Sequence, residues 1–177
     1  MSEPEPGTDQ GPALLALYDH AVADVYGYLL PRCANRSLAE DLTAETFLAA
    51  VAAVKRHTVP TMTTAWLVAV ARHKLVDHWR RQAREERNLK LVHDDAAVEE
   101  DPWDAHLDAS RARAILGDLS AQHRAALTLR YLDGLSVPDV ADLLGRGVHA
   151  TEALLVRARS AFRRAYEKTE TKGGDDA

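Results

Sequence analysis

Apolar residues recur along this chain at intervals of three and four, and no stretch of useful length alternates as a half-buried strand would. "SLAEDLTAETFLAAVAAV" reads as an amphipathic helix with Leu42, Phe47, Leu48 and Val51 among its apolar positions. "TTAWLVAVARHKLVDHWRRQARE" reads as another, its apolar side including Leu67, Val70, Leu75 and Val76. "LSAQHRAALTLRYLDG" predicts a helix that starts after Ser120, draws on Leu119, Ala126, Leu127 and Leu129 to Tyr131, and ends at Gly134. "SVPD" then restarts the chain. Ser136 is placed as an N-cap with Asp139 at the capping-box position, and the short helix closes on Leu143 and Leu144 with Gly145 as its stop. A turn of about four residues leads into a long final helix. The expected fold class is all-α.

Punctuation and charge divide the helices into two small domains. The stretch 91–100 lacks helical periodicity, and "DPWDA" opens a new helix with Asp101 as N-cap, Pro102 in the first helical position and Asp104 favouring the helix dipole. The expected order is a disordered start over 1–12, a helical domain over 13–90, an acidic flexible linker over 91–100, a second helical domain over 101–168 and a disordered tail over 169–177. Extended, the linker reaches on the order of 30 Å, enough to seat the domains on separate parts of a large partner.

Charge sharpens this division. The 177 residues carry a formal charge of -5, unevenly spread. Arg72, Lys74, Arg80, Arg81, Arg84, Arg87 and Lys90 make one stretch basic against Asp77, Glu85 and Glu86, and Arg157, Arg159, Arg163, Arg164 and Lys168 make the end basic again. Between them, Asp94, Asp95, Glu99, Glu100, Asp101, Asp104 and Asp108 stand with no lysine or arginine. No apolar run could span a bilayer, so membrane insertion is not expected, and the acidic, proline-containing N-terminus does not resemble a secretory signal. A cytoplasmic location follows. Cys33, the single cysteine, has no partner for a disulfide or zinc cluster and is expected to be a small buried side chain.

A short helix, a glycine-containing turn and a long helix form either a helix-turn-helix, whose second helix enters a DNA major groove, or an ordinary helical hairpin. Projection of the last helix at about 100° per residue favours the former. Val148, Thr151, Leu155, Ala158 and Phe162 share one face as the expected core stripe. The opposite face carries His149, Ala150, Ala153, Val156, Arg157, Ser160 and Arg164, with Arg146 in the preceding turn. Small residues early let a helix approach a groove closely, and arginines late can clasp phosphates or bases.

In the first domain, Asp41 and Glu45 are four apart and share a helical face. Paired carboxylates can hold a metal or perform acid-base chemistry, but no histidine lies within that helix and no glycine-rich loop adjoins it, so a docking surface is the favoured reading. His73 and His78, five apart, would not share a face, which disfavours a metal site. Trp66 and Trp79 can stack on unpaired bases or pack in the core.

Together "LYDHAVADVYGYL", "AEDLTAETFLAAV", "TAWLVAVARHKLVDHWRR" and "LSAQHRAALTLRYLDGLSVPDVADLLG...RAR" resemble the extracytoplasmic-function (ECF) class of bacterial sigma factors in the sigma-70 family, over roughly Leu14 to Tyr166. The resemblance implies a sigma-two and a sigma-four domain that bind RNA polymerase core and direct promoter-specific initiation, with no catalysis and no cofactor. By position, Asp41, Leu42, Glu45, Thr46 and Phe47 match the segment that docks on core polymerase, with Ala44 where glutamine is common. The loop from Lys55 to Thr64 matches the segment that captures a flipped base of the single-stranded non-template strand in the minus-ten element. The helix that follows places Trp66, Arg72, His73, Lys74, Asp77, His78, Trp79, Arg80 and Arg81 toward that element, with His73 where asparagine is usual. The acidic linker corresponds to a segment directed toward the RNA exit path. Arg146, His149, Ala150, Ala153, Val156, Arg157, Ser160 and Arg164 are expected at the upstream minus-thirty-five duplex.

The recognition helix departs from the family: Gly147, Ala150, Glu152 and Leu154 stand where serine, threonine, lysine and arginine are frequent, so early base-specific hydrogen bonds should be few. The chain stops soon after Tyr166, and control is expected to lie in expression, proteolysis or a separate anti-sigma factor. Two other classes compete: a one-component helix-turn-helix regulator that binds DNA without polymerase, and an enzyme using the carboxylates and histidines.

Overall fold

The computed structural model describes residues 10–56, 58, 62–89 and 109–173. Within them the backbone forms α1 (Gln10–Leu29), α2 (Arg36–Lys55), α3 (Thr64–Leu89), α4 (Ala109–Asp118), α5 (Ala121–Leu127), a π-helical turn (Thr128–Leu132), α6 (Val137–Leu144) and α7 (Val148–Gly173), with no strand among the described residues. The chain divides into two compact units, 1–75 and 76–177, and the division falls inside the uninterrupted helix α3. The acidic stretch 91–100 and the expected helix start at Asp101 lie outside the described residues. Helix extends into both stretches expected to be disordered. Pro12 is tolerated because it falls in the first turn of α1, and Thr169 is held late in α7 by Arg111, whose Nε donates to Thr169 Oγ1 at 2.9 Å.

In the first unit, α1 packs along α2, and the edge of one ring in the pair Tyr18 and Phe47 meets the other with centroids 4.9 Å apart. Each helix buries a stripe at helical spacing: Ala21, Val25 and Leu29 in α1, and Leu67, Ala71 and Leu75 in α3. Pro31 stops α1. Asn35 starts α2 by accepting the Leu38 backbone N–H at 2.8 Å, a cap that the polar pattern does not advertise. The buried stripe of α2 is Ala39, Leu42, Thr43, Thr46, Phe47 and Ala50. Both threonines enter the interior because their hydroxyls donate to carbonyls one turn back, Thr43 to Ala39 and Thr46 to Leu42, each at 2.7 Å. That stripe leaves Leu48 at 69% exposed and Val51 at 38%, where a place in the core is expected from their hydrophobicity. Cys33 is half-exposed rather than buried, because it follows the last turn of α1, with its N–H on the Leu29 carbonyl.

In the second unit, α7 is the spine: α4, α5 and α6 all pack against it. Ile115 and Leu116 of α4 and Leu127 of α5 cluster with Ala158 and Phe162, while Ala126 clusters with Leu154 and Leu155 and is flanked by Val137 and Leu144. The core stripe of α7 is therefore Thr151, Leu154, Leu155, Ala158 and Phe162. Val148 is 41% exposed, so the stripe begins one turn into the helix, and Leu154 belongs to the interior instead of the recognition surface.

Arg124 joins α4 to α5. Only 5% exposed, it donates from Nε to the Leu116 carbonyl at 2.9 Å and from Nη2 to those of Gly117 and Leu119, receiving the carbonyls that the end of α4 leaves without helical partners. Replacing Arg124 with methionine should lower the urea-unfolding free energy of the second unit by about 2–3 kcal/mol, since buried carbonyls lose their donors. Arg113→Met on the exposed side of α4 should stay within about 0.5 kcal/mol of the parent in the same measurement.

Candidate nucleic-acid and partner interface

The bend between α6 and α7 is built by local chemistry. Ser136 and Asp139 form a reciprocal capping box, each side chain accepting the other's backbone N–H at 3.3 Å, and Pro138 occupies the first turn. Gly145 then ends α6 in the left-handed region at φ 63°, and the Arg146 N–H returns to the Ala141 carbonyl at 2.9 Å. A Cβ on Gly145 would lie 2.9 Å from Nη2 of Arg80, so the turn also leaves room for that guanidinium. Three residues, Gly145 to Gly147, separate the helices. Thr151, fully buried, donates to the Gly147 carbonyl at 3.0 Å and anchors the first turn of α7.

This anchoring turns the remaining faces of α7 outward. His149, Ala150, Ala153, Arg157 and Arg164 are exposed, and Val156 and Ser160 are half-buried. Glu152 is exposed and pairs with His149, with Oε2 at 3.1 Å from Nδ1. Arg146 is half-buried and donates from Nη2 to Gln122 Oε1 at 2.9 Å. Partial burial, and then the like charges of Arg87 and Arg157, lower its guanidinium pKa from the ordinary value. The expected recognition surface is thus brought together on one side of α7, with small residues in its first turns and arginines later.

The candidates on α3 separate by burial. Thr63 caps the helix by accepting the Trp66 N–H at 3.1 Å, and Trp66 is half-buried. His73 and Arg81 are exposed, and Arg80 and His78 are half-buried. Arg72 donates from Nε to the Tyr28 hydroxyl at 3.4 Å, Lys74 pairs with Glu45 at 3.8 Å, and Asp77 pairs with Arg80 at 3.8 Å. Trp79 is 1% exposed, so its ring is withheld from base stacking. The apolar stripe of α3 runs on through Leu75, Val76, Trp79 and Ala83, which explains its burial. Of the loop from Lys55 to Thr64, residues 57 and 59–61 lie outside the described residues.

On α2, Asp41 and Ala44 are exposed and Glu45 is half-exposed, whereas Leu42, Thr46 and Phe47 are buried in the unit's interior. The outer face is formed by Asp41, Ala44, Glu45, Leu48 and Val51, at helical spacing. Leu48 and Val51 are missing from the site residues expected from sequence. The signal that finds them is the competing stripe of smaller residues from Ala39 to Ala50, which takes the core side of the helix.

Residues 17–85 match sigma-70 region 2, and residues 110–162 match sigma-70 region 4. The chain is 35% identical over 147 residues to the ECF RNA polymerase sigma factor BldN of Streptomyces coelicolor, covering 80% of this chain and 56% of that protein. It is 32% identical over 136 residues to the probable RNA polymerase sigma-C factor of Mycobacterium bovis, covering 76% of this chain and 74% of the relative. Among solved structures, the sigma factor RpoE in complex with the anti-sigma factor NepR from Bartonella quintana shares the fold, with a TM-score of 0.52 and 23% identity over 88% of this chain and 95% of that one. Two sigma-70 regions in order, together with relatives 32% identical over 74% of their length, establish that the chain belongs to the ECF sigma factors of the sigma-70 family.

Proposed function

We propose that this protein directs promoter-specific transcription initiation: it docks on RNA polymerase core through the outer face of α2, meets the minus-ten element with α3 and reads the minus-thirty-five duplex with α7. The observation that carries the reading is the division of α7, whose inner stripe is locked into the second unit while Ala150, Ala153 and Arg157 stand outside. Ala150 and Ala153 permit close approach and contact with thymine methyl groups, and Arg157 and Arg164 clasp phosphates. Arg146, His149, Val156 and Ser160 flank that contact. In α2, Leu42, Thr46 and Phe47 act as the buried footing that presents Asp41 and Glu45, and Leu48 adds apolar area to the docking face.

At the minus-ten element the open groups are His73 and Arg81, with Trp66, Arg72, Lys74, Asp77, His78 and Arg80 beside them. Trp79 serves as their core support. Holding a flipped base costs a few kcal/mol of stacking, which phosphate contacts by the basic residues offset. The polymerase supplies the chemistry, so the chain itself is not an enzyme, and it works in the cytoplasm. No helix among the described residues is long and apolar enough to cross a membrane. An anti-sigma factor is a fitting regulator, since the similar RpoE was solved with one.

The decisive experiment is promoter-directed transcription with and without added core polymerase; specific DNA binding that needs no polymerase would point instead to a one-component regulator. Reversing both charges, Asp41→Lys with Glu45→Lys, should abolish co-elution with core polymerase while the far-UV circular dichroism spectrum is unchanged, because both side chains lie outside the core. In holoenzyme, Arg157→Ala should weaken binding about equally across a library of upstream elements and reduce the salt slope by roughly one unit. Loss of discrimination at one base pair with the salt slope intact would make Arg157 a base reader. Arg81→Ala should reduce permanganate reactivity of minus-ten thymines more than initial duplex binding.

A further inference from the structure

Four guanidinium groups surround one cavity in the second unit, and no carboxylate among the described residues lines it. The cavity holds about 340 Å³. Arg80, Arg84 and Arg87 reach it from the second half of α3, Arg146 from the turn before α7, and Gln122 from the first turn of α5. Of the carboxylates close in sequence, Glu86 accepts the Ala121 backbone N–H with both oxygens, at 3.2 and 3.1 Å, whereas Asp77 pairs with Arg80 at 3.8 Å and offsets part of its charge. Arg87 Nε donates to its own helix at Ala83, and Arg84 has no polar partner among the described residues. Partial burial first, and then the like charges of Arg87 and Arg157, lower the pKa of Arg146.

Trp79 lines the cavity, and its indole Nε1–H is buried without any acceptor among the described residues. Buried donors are seldom left unpaired, since each forgoes the hydrogen bond it makes with water when unfolded. Ala83, Ala125 and Leu144 add apolar parts of the wall. A nucleic-acid duplex is too broad to enter it, whereas its volume lies within the range of small-molecule sites.

We propose that this cavity binds a compact polyanion of two or three linked phosphates, carried on a nucleoside or present as a short inorganic chain. Guanidinium forks match phosphate oxygens in paired hydrogen bonds, and linked phosphates offer enough acceptors to engage several arginines at once. A single phosphate cannot do so across 340 Å³. Gln122, whose Oε1 accepts from Arg146, offers its amide N–H groups to orient the ligand. Arg80 and Arg146 are also proposed DNA contacts, so an occupied cavity competes with the promoter for both. That consequence rests on the sigma-factor reading; the binding itself does not.

The full chain without polymerase is titrated calorimetrically, at fixed ionic strength, with orthophosphate, pyrophosphate, tripolyphosphate, ATP and GTP. The expected result is saturable one-to-one binding of a triphosphate at least tenfold tighter than orthophosphate. Arg84→Gln with Arg87→Gln should weaken it at least tenfold; both residues are exposed, so the fold survives and circular dichroism verifies this. Arg36→Gln with Arg113→Gln removes the same charge elsewhere and should leave the affinity within twofold. Tighter binding of ATP or GTP than of tripolyphosphate assigns the nucleoside form, and equal affinity assigns the inorganic chain. Equal losses in the two double variants would mean diffuse charge attraction and overturn the site. So would a wild-type protein that binds no polyphosphate while the Arg84 and Arg87 variant loses promoter binding, which would give these arginines to the DNA backbone.

Discussion

The buried Arg124 guanidinium sits where the chain turns from α4 into α5, and the geometry of the second unit follows from what it satisfies. A helix that ends inside a protein leaves carbonyls needing donors, and here one side chain supplies several of them from the next helix. The corner between α4 and α5 is consequently fixed by hydrogen bonds as well as by apolar contact. With that corner fixed, Leu116 and Leu127 arrive together against Ala158 and Phe162, and α7 has a seat. The charge is tolerated so deep because each N–H direction used meets an oxygen. Arg111 acts similarly at the far end: its guanidinium lies 3.8 Å over the Tyr166 ring and its N–H groups meet the Tyr166 carbonyl and Thr169, binding α4 to the later part of α7.

The parts of the fold that are legible in the sequence are those determined within a few residues. Ser136, Asp139 and Gly145 set both ends of α6 by capping and by a left-handed backbone, and neither needs a distant partner. The continuation of the apolar pattern from Leu127 into Leu129 is legible as helix, but not the π-helical turn that starts at Thr128, because the extra residue leaves no mark on periodicity. The basic flank of α3 gives no sign that its second half, from Val76, is built into the same compact unit as the helices after residue 109. Long-range packing decides that, and a one-dimensional pattern does not contain it.

The candidate site shows the same limit. Hydrophobicity alone sends Leu48 inward and treats Thr46 as a surface residue, yet Thr46 is fully buried and Leu48 is largely exposed. A hydroxyl that bonds its own helix behaves as a small apolar group, and position around the helix outweighs size. Trp79 illustrates the converse, since an aromatic residue amid arginines looks like a base-stacking platform until the stripe through Leu75 and Ala83 claims it. Arg84 and Arg87 read as undifferentiated basic flank, and only the folded unit places them around the same cavity as Arg146.

On the proposed reading of α7, promoter choice rests on residues that the fold hardly uses. Ala150 and Ala153 stand on the exposed side of a helix whose position is secured by Thr151, Leu154 and Leu155, so exchanging either for another good helix former changes stability by only a few tenths of a kcal/mol. Binding preference can therefore drift, or be selected in a library, without passing through unfolded intermediates. Gly145 is the fixed point of such a search, because any side chain there must adopt a left-handed backbone and displace Arg80. If α7 reads the promoter as proposed, a gene duplicate of this protein acquires a new set of promoters by changing two small side chains while its scaffold stays untouched.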